Sequence, residues 1–162
     1  MKSDVNVPAR ATNTSTRPDS GGRVPAIPIC FEVAGNPRPQ PRPRAQVRGH
    51  RAHIYTPASC DGWKAIIWAE ALKHRPLVPI QGPVIVMLEF ALRRPKTATG
   101  LRHDWPPDLD NLAKPVLDVL TGLGYWANDG QVDELSASKF YADAEAGPGV
   151  TVDIQWQGNK QP

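Results

Sequence analysis

Prolines at positions 37, 39, 41 and 43 alternate through the run Gly-Asn-Pro-Arg-Pro-Gln-Pro-Arg-Pro-Arg that occupies residues 35–44. Each proline fixes φ and removes an amide donor, so this stretch can be neither a helix nor a central strand. It has to be an extended, stiff loop, and it must display Arg38, Arg42 and Arg44. Arg48, His50, Arg51 and His53 follow before a short apolar pair, Ile54 and Tyr55. A pre-stiffened segment of this kind loses little entropy on binding and can lie along phosphates. The plainer reading is a connector whose arginines keep it soluble.

The charge distribution bears on that choice. Residues 1–54 carry nine Lys/Arg against three Asp/Glu, and residues 55–162 carry ten against thirteen. A basic arm on an acidic body suits a protein that handles an anionic polymer with a carboxylate-rich site.

On either side of the arm the patterning reads as one domain, 27–158. The chain of 162 residues is 40% hydrophobic and 22% charged, enough for a packed core. Residues 1–26 are rich in Ser, Thr, Pro, Arg and Gly and read as a disordered tail, because they cannot bury enough apolar surface to offset ordering. No apolar run approaches the ~18 residues of a membrane span, and the N-terminus lacks the apolar stretch of a secretory signal. Cys30 and Cys60 form neither a disulfide framework nor a zinc pattern and read as reduced packing residues. These features point to a cytoplasmic protein.

Period-two alternation of Ile29, Phe31 and Val33 predicts a strand over 27–33. Trp63, Ile66, Ile67, Ala71 and Leu72 recur at helical spacing within 59–74. Residues 83–92, PVIVMLEFAL, are β-branched, aromatic and apolar throughout, which predicts a central strand. A polar loop over 93–105, a helix over 112–120 and strands over 132–141 and 149–156 complete the chain. The fold class is α+β, a mixed β-sheet packed with two main helices.

Residues 106–131, PPDLDNLAKPVLDVLTGLGYWANDGQ, carry the chemistry. Pro106 and Pro107 should hold an extended approach on which Asp108 and Asp110 leave the same face, with Asp110 or Asn111 capping the helix. Lys114 lies one turn beyond Asp110, and Pro115 should fall in the first helical turn. Gly122 and Gly124 permit a reversal, after which residues 122–129 span up to ~26 Å, enough for Asp129 to return beside the pair. Three clustered carboxylates repel unless a divalent cation joins them, and oxygen-only ligands favour Mg²⁺ or Mn²⁺. Lys114 beside them could stabilise charge on a phosphate. Equally, these are solvent-facing carboxylates with Lys114 in an i,i+4 pair to Asp110 or Asp118. Asp118 reads as a supporting residue and Trp126 as core cover or a base-stacking group. His50, His53, His74 and His103 show no ligand spacing and read as surface residues.

The run from Pro107 through Asp108, Asp110, Asn111, Lys114 and Asp118, followed by Trp126, Asn128, Asp129, Gln131 and Val132, resembles the motif of RusA-type Holliday junction resolvases. The likeness spans about residues 29–156 and includes the proline-arginine pattern at 35–44, Tyr55-Thr56, Lys139 and Tyr141. It implies a small α+β subunit, a homodimer, and Mg²⁺-dependent cutting of four-way DNA junctions with Mn²⁺ as a substitute. It further implies a phage or prophage source and a nucleoid-associated setting. Asp108, Asp110, Lys114 and Asp129 take the catalytic positions, and the three aspartates the metal. Arg38, Arg42, Arg44, Arg48, Arg51 and Lys139 are the expected DNA contacts, and neither a small-molecule cofactor nor a membrane is expected. The first residue of the family's Asp-Asp pair is Asn128 here, which brings an amide oxygen without a charge. The rival readings are a nuclease for forks, flaps or other branched DNA, and a non-catalytic DNA-binding module.

Overall fold

The computed structural model describes residues 27–41, 44–48, 51–55, 59–96, 98 and 103–156. The strands are β1 (Ile29–Ala34), β2 (Arg44–Arg48), β3 (Arg51–Tyr55), β4 (Val84–Leu92), β5 (Val132–Tyr141) and β6 (Gly149–Trp156). Two helices, α1 (Asp61–His74) and α2 (Leu109–Gly122), and a 3-10 turn, Asp129–Gln131, complete the elements. A four-stranded sheet has the order β1-β6-β4-β5, and β2 and β3 form a separate two-stranded ribbon. The β4–β5 pair is parallel and the other neighbours are antiparallel, so the sheet is mixed and the class α+β.

β4 is central, as its composition predicts. Its Val84, Val86, Leu88, Phe90 and Leu92 are buried in one core with Phe31 and Val33 of β1 and Val150, Val152 and Ile154 of β6. Period-two alternation puts all of these on one sheet face. Trp63, Ile67 and Ala71 of α1, and Leu112, Val116, Val119 and Leu120 of α2, close the core from above. On the reverse face Glu89 is exposed and Ile85, Met87 and Ala91 are half-buried, so β4 is fully covered on one side only. Parallel pairing of β4 with β5 requires a crossover, and α2 supplies it. The chemistry-bearing segment is therefore the linker of a β-α-β unit.

Several boundaries depart from the sequence reading. Arg44, Arg48 and Arg51 lie on the β2–β3 ribbon rather than on a continuous loop, with Arg44 opposite Tyr55 and Arg48 opposite Arg51. Helix α2 begins at Leu109, three residues before the expected start, with Asp108 as its N-cap residue and no side-chain cap bond. The first rung runs from the Leu112 amide to the Asp108 carbonyl, 3.1 Å. Pro115 consequently sits inside the helix, in its second turn, and is buried.

A proline there strands the carbonyl four residues back, which belongs to Asn111. That oxygen accepts instead from the backbone N–H of Gln40, at 2.6 Å. Gln40 lies between Pro39 and Pro41, so it is a residue of that run with an amide to give. The tertiary bond replaces the missing rung, and a helix that local rules would start after the proline's own turn extends back to Asp108.

The same arm is tied elsewhere. The Gly35 N–H donates to the Pro148 carbonyl at 2.9 Å, and the Cys60 thiol to the Arg38 carbonyl at 3.6 Å. Gly35 has φ of 141°, and a Cβ there would meet the Trp63 ring at 3.0 Å, so only glycine suits this close approach. Cys60 is buried as expected, whereas Cys30 is exposed rather than packed. Both are free thiols, and burial pushes both up from the ordinary thiol pKa.

Candidate active site

Helix α2 organises the acidic residues. Asp108 is its cap, with the extended backbone expected of it, whereas Asp110 lies in the first helical turn; both are exposed. The peptide bond between Pro106 and Pro107 is cis, and residues 105–107 bend. The Asn111 amide donates to the Asp108 carboxylate at 3.4 Å. The loop ahead of the cap is fixed by Lys139 of β5, whose ammonium donates to the Trp105 carbonyl at 2.7 Å and to the Pro107 carbonyl at 2.9 Å. Lys139 was expected on phosphate; in this structure two of its three donors hold the backbone that carries Asp108.

Lys114 turns toward the helix C-terminus. It pairs with Asp118 one turn on, at 2.5 Å, and its Nζ lies 3.9 Å from Asp129. Asp118 also receives Lys64 of α1, at 3.0 Å, so it links the two helices. Partial burial works against the Asp118 charge, but the hydrogen bonds from Lys114 and Lys64 outweigh it and hold the carboxyl below its ordinary range. The hydrogen bond to Asp118 in turn raises the Lys114 ammonium above its usual value.

Asp129 returns to α2 through the predicted reversal, although the turn is made by one glycine rather than two. Gly122 is the last helical residue, and Gly124 takes the left-handed conformation with φ of 76°. The Tyr125 amide then reaches back to the Leu120 carbonyl at 3.1 Å and closes the helix. Burial pushes the Tyr125 phenol well up from the ordinary tyrosine range, and its hydroxyl donates to the Ala71 carbonyl at 2.7 Å.

The Thr121 hydroxyl donates to Asp129 Oδ1 and accepts from Trp126 Nε1 at 2.7 Å. Trp126 is 1% exposed, so it covers the core rather than stacking on a base. Asn128 Oδ1 accepts from the Gly130 amide at 2.9 Å and caps the 3-10 turn. Gln131 fastens this turn to the body by donating to the Ile80 and Gly82 carbonyls at 3.0 and 3.1 Å.

The donor set at α2 is carboxylate only, the chemistry that suits a hard divalent cation. Its side chains are not gathered for one. Among the described residues no three His, Cys, Asp or Glu side chains are arranged to hold a metal ion, and Asp129 is turned toward Thr121 and Lys114. The ammonium of Lys114 offsets the charges of Asp118 and Asp129 in this arrangement.

Of the expected DNA contacts, Arg38 is exposed on the arm, Arg44, Arg48 and Arg51 lie on the ribbon, and Arg42 is outside the described residues. Two site features were missed in the sequence. Trp105 is 72% exposed immediately ahead of Pro106, Pro107 and Asp108, and the unusual Trp-Pro-Pro run was its signal. His103, expected at the surface, is 9% exposed and packs on Tyr141 with ring centroids 4.9 Å apart. Arg94 covers the same tyrosine ring at 5.0 Å. His74 is exposed as expected, stacks on Phe31 at 5.0 Å and pairs with Glu70. His50 lies outside the described residues, and His53 is on β3.

Residues 34–155 match the model of the family described as Endodeoxyribonuclease RusA. The chain is also 35% identical over 127 residues to a Bacillus subtilis (strain 168) protein described as "Uncharacterized protein YqaN", a match covering 71% of this chain and 89% of that protein. No helix among the described residues is long and apolar enough to cross a membrane.

Proposed function

The chain belongs to the RusA family of endodeoxyribonucleases, and on that premise we propose that it resolves four-way DNA junctions by symmetric, Mg²⁺-dependent phosphodiester hydrolysis. The observation that carries the reading is the bond between Gln40 and Asn111. It fastens the arginine-bearing arm to the helix that presents Asp108, Asp110 and Lys114, so phosphate binding and carboxylate chemistry share one rigid frame.

In the reaction a water oxygen bonds to phosphorus, one bridging P–O bond breaks, and the leaving oxygen takes up a proton. Asp108, Asp110 and Asp129 would hold the ion, with Mn²⁺ as a substitute, once Asp129 turns from Thr121 and Lys114 toward the other two. When bound, a divalent ion supplies charge neutralisation at the phosphate and a more acidic water. Lys114 adds a positive charge where the phosphate becomes more negative. Lys139 keeps Asp108 in place by holding the two carbonyls before it. Asn128 brings no charge to this set, and its side-chain oxygen accepts from the Gly130 amide.

Resolution requires two cuts, and the chain contains a single D-x-D segment at 108–110. The second site comes from a second copy, and two-fold pairing is the commonest way to supply one. The reading carries with it a nucleoid-associated, cytoplasmic setting and a phage or prophage source.

The test is cleavage of a labelled four-way junction beside duplex, fork and flap substrates, with Mg²⁺, Mn²⁺ or EDTA. Cutting of the junction with either metal, none in EDTA, and none after Asp108→Asn, Asp110→Asn or Asp129→Asn is the expected result. Junction binding should persist or strengthen in these variants, since repulsion of phosphate falls. Wild-type rates in any of the three would sink the assignment, and faster cutting of forks or flaps would redirect it.

A further inference from the structure

Beside the N-terminus of α2 lies a cleft of about 630 Å³, between the arm and the loop that follows β4. Its lining includes Arg38 and Gln40 of the arm, Arg93 and His103 after β4, and Pro107 and Asn111, which flank Asp108 in the chain. Its size falls in the range of ~300–1,000 Å³ usual for small-ligand sites. Among the described residues, three buried side-chain polar atoms lack a hydrogen-bond partner: Gln40 Oε1, His103 Nδ1 and Trp63 Nε1. The first two belong to residues lining this one cleft. Buried polar groups are nearly always paired, and both of these atoms lie just beneath the cleft surface, so a small turn of the Gln40 carboxamide or the His103 ring would bring each to a ligand seated there.

We infer that this cleft receives one unstacked nucleobase of the DNA, next to the phosphate addressed by α2. The inference rests on the junction-cutting reading above and adds to it a base-reading subsite. Arg38 and Arg93 supply positive charge for the flanking phosphates. The proline rings of the arm and of Pro107 offer stiff, apolar surface to a base. Gln40 and His103 provide hydrogen-bonding groups for its edge, which is where sequence is read, whereas phosphate contacts only position. Gln40 suits this task because its backbone is already fixed to Asn111, leaving only the carboxamide to turn. His103 is likewise held by its packing against Tyr141. Duplex DNA keeps its bases stacked, while the branch point of a junction has bases whose stacking is already interrupted. A pocket that must be filled for alignment would therefore favour branched over linear DNA.

Two measurements test this. The first places 2-aminopurine, in turn, at each nucleotide around the branch point and reads its fluorescence in EDTA. One position should brighten several-fold with wild-type protein, and Gln40→Leu combined with His103→Phe should abolish that rise. His103→Phe keeps the ring packed on Tyr141, and circular dichroism of the double variant checks that it is folded. The second measures single-turnover cleavage of junctions differing only in the base next to the cut. Wild-type rates should spread about tenfold or more across the four bases, and the spread should shrink to about threefold in Gln40→Leu. A wild-type protein that cuts the junction without brightening any position, or a spread unchanged in the variant, would overturn the base pocket while leaving the nuclease reading standing. Brightening by a wild-type protein that cuts no branched substrate would support the pocket and remove the nuclease reading.

Discussion

Asp118 shows how a single carboxylate can serve the site without belonging to it. It is the shared acceptor of Lys64 and Lys114, and its carboxyl is held below its ordinary value. A lowered folded pKa gives stability that is present above the unfolded value and is lost as pH falls through the folded one. Asp118→Asn should therefore cost about 1 kcal/mol near neutrality, the scale of a partly exposed pair with two partners. For a chain of this length that lowers Tm by about 2–4 °C. The difference from wild type should close in thermal melts as pH falls below the ordinary carboxylate range, and a constant difference would show that charge is not the cause. Lys139 makes a second residue-scale case. A lysine on phosphate would, when removed, flatten the dependence of log K on log salt by about 0.9. A lysine that holds the loop before Asp108 would not. Lys139→Met should reduce the cleavage rate about tenfold or more while leaving the salt slope of junction binding in EDTA unchanged. Neither partner choice was legible in the sequence: the i,i+4 rule allowed Lys114 to take Asp110 or Asp118, and in the structure it takes Asp118, with Asp129 returning to within 3.9 Å of its Nζ. His103 was misread because a histidine in a polar loop carries no local mark of burial; Tyr141, which covers it, is distant in sequence.

At the scale of elements, the strands and helices that bury one clean face were readable. β4 announces itself by composition, β1 and β6 by alternation, and α1 by the spacing of Trp63, Ile67 and Ala71. The start of α2 was not readable, because the local penalty of Pro115 is cancelled by a residue 75 positions earlier. The β2–β3 ribbon was not readable either, since its arginines mask the alternation that marks a strand. The proline has a testable consequence. Pro→Ala inside a helix ordinarily stabilises by up to ~3 kcal/mol. In Pro115→Ala the restored N–H would compete with Gln40 for the Asn111 carbonyl, so the gain should fall to about 1 kcal/mol or less while the arm loosens. Hydrogen exchange at the Gln40 amide should accelerate at least tenfold. An unchanged exchange rate would mean that the arm is held by its other ties alone.

For the whole molecule, the family and the α+β class were legible because the motif spans most of the domain and the β-α-β linker contains it. The order of strands in the sheet was not, because parallel pairing of β4 with β5 is decided by how the crossover packs and not by either strand. On the proposed reading, one site per chain and two cuts per junction call for a pair of chains. Sedimentation at micromolar concentration should give about twice the 17.7 kDa chain mass, and a protein that stays monomeric on junction DNA would favour a single-cut nuclease. The bond between Gln40 and Asn111 also bears on how the molecule comes apart. A helix with an internal proline is ordinarily free to hinge at the missing rung, and a proline-rich arm is ordinarily an appendage that frays on its own. Here each supplies what the other lacks, so the arm is in effect a rung of the helix's own ladder. The two should open and close as one cooperative unit, and the protein would have no state in which the arm has let go while the carboxylate-bearing helix keeps its full ladder.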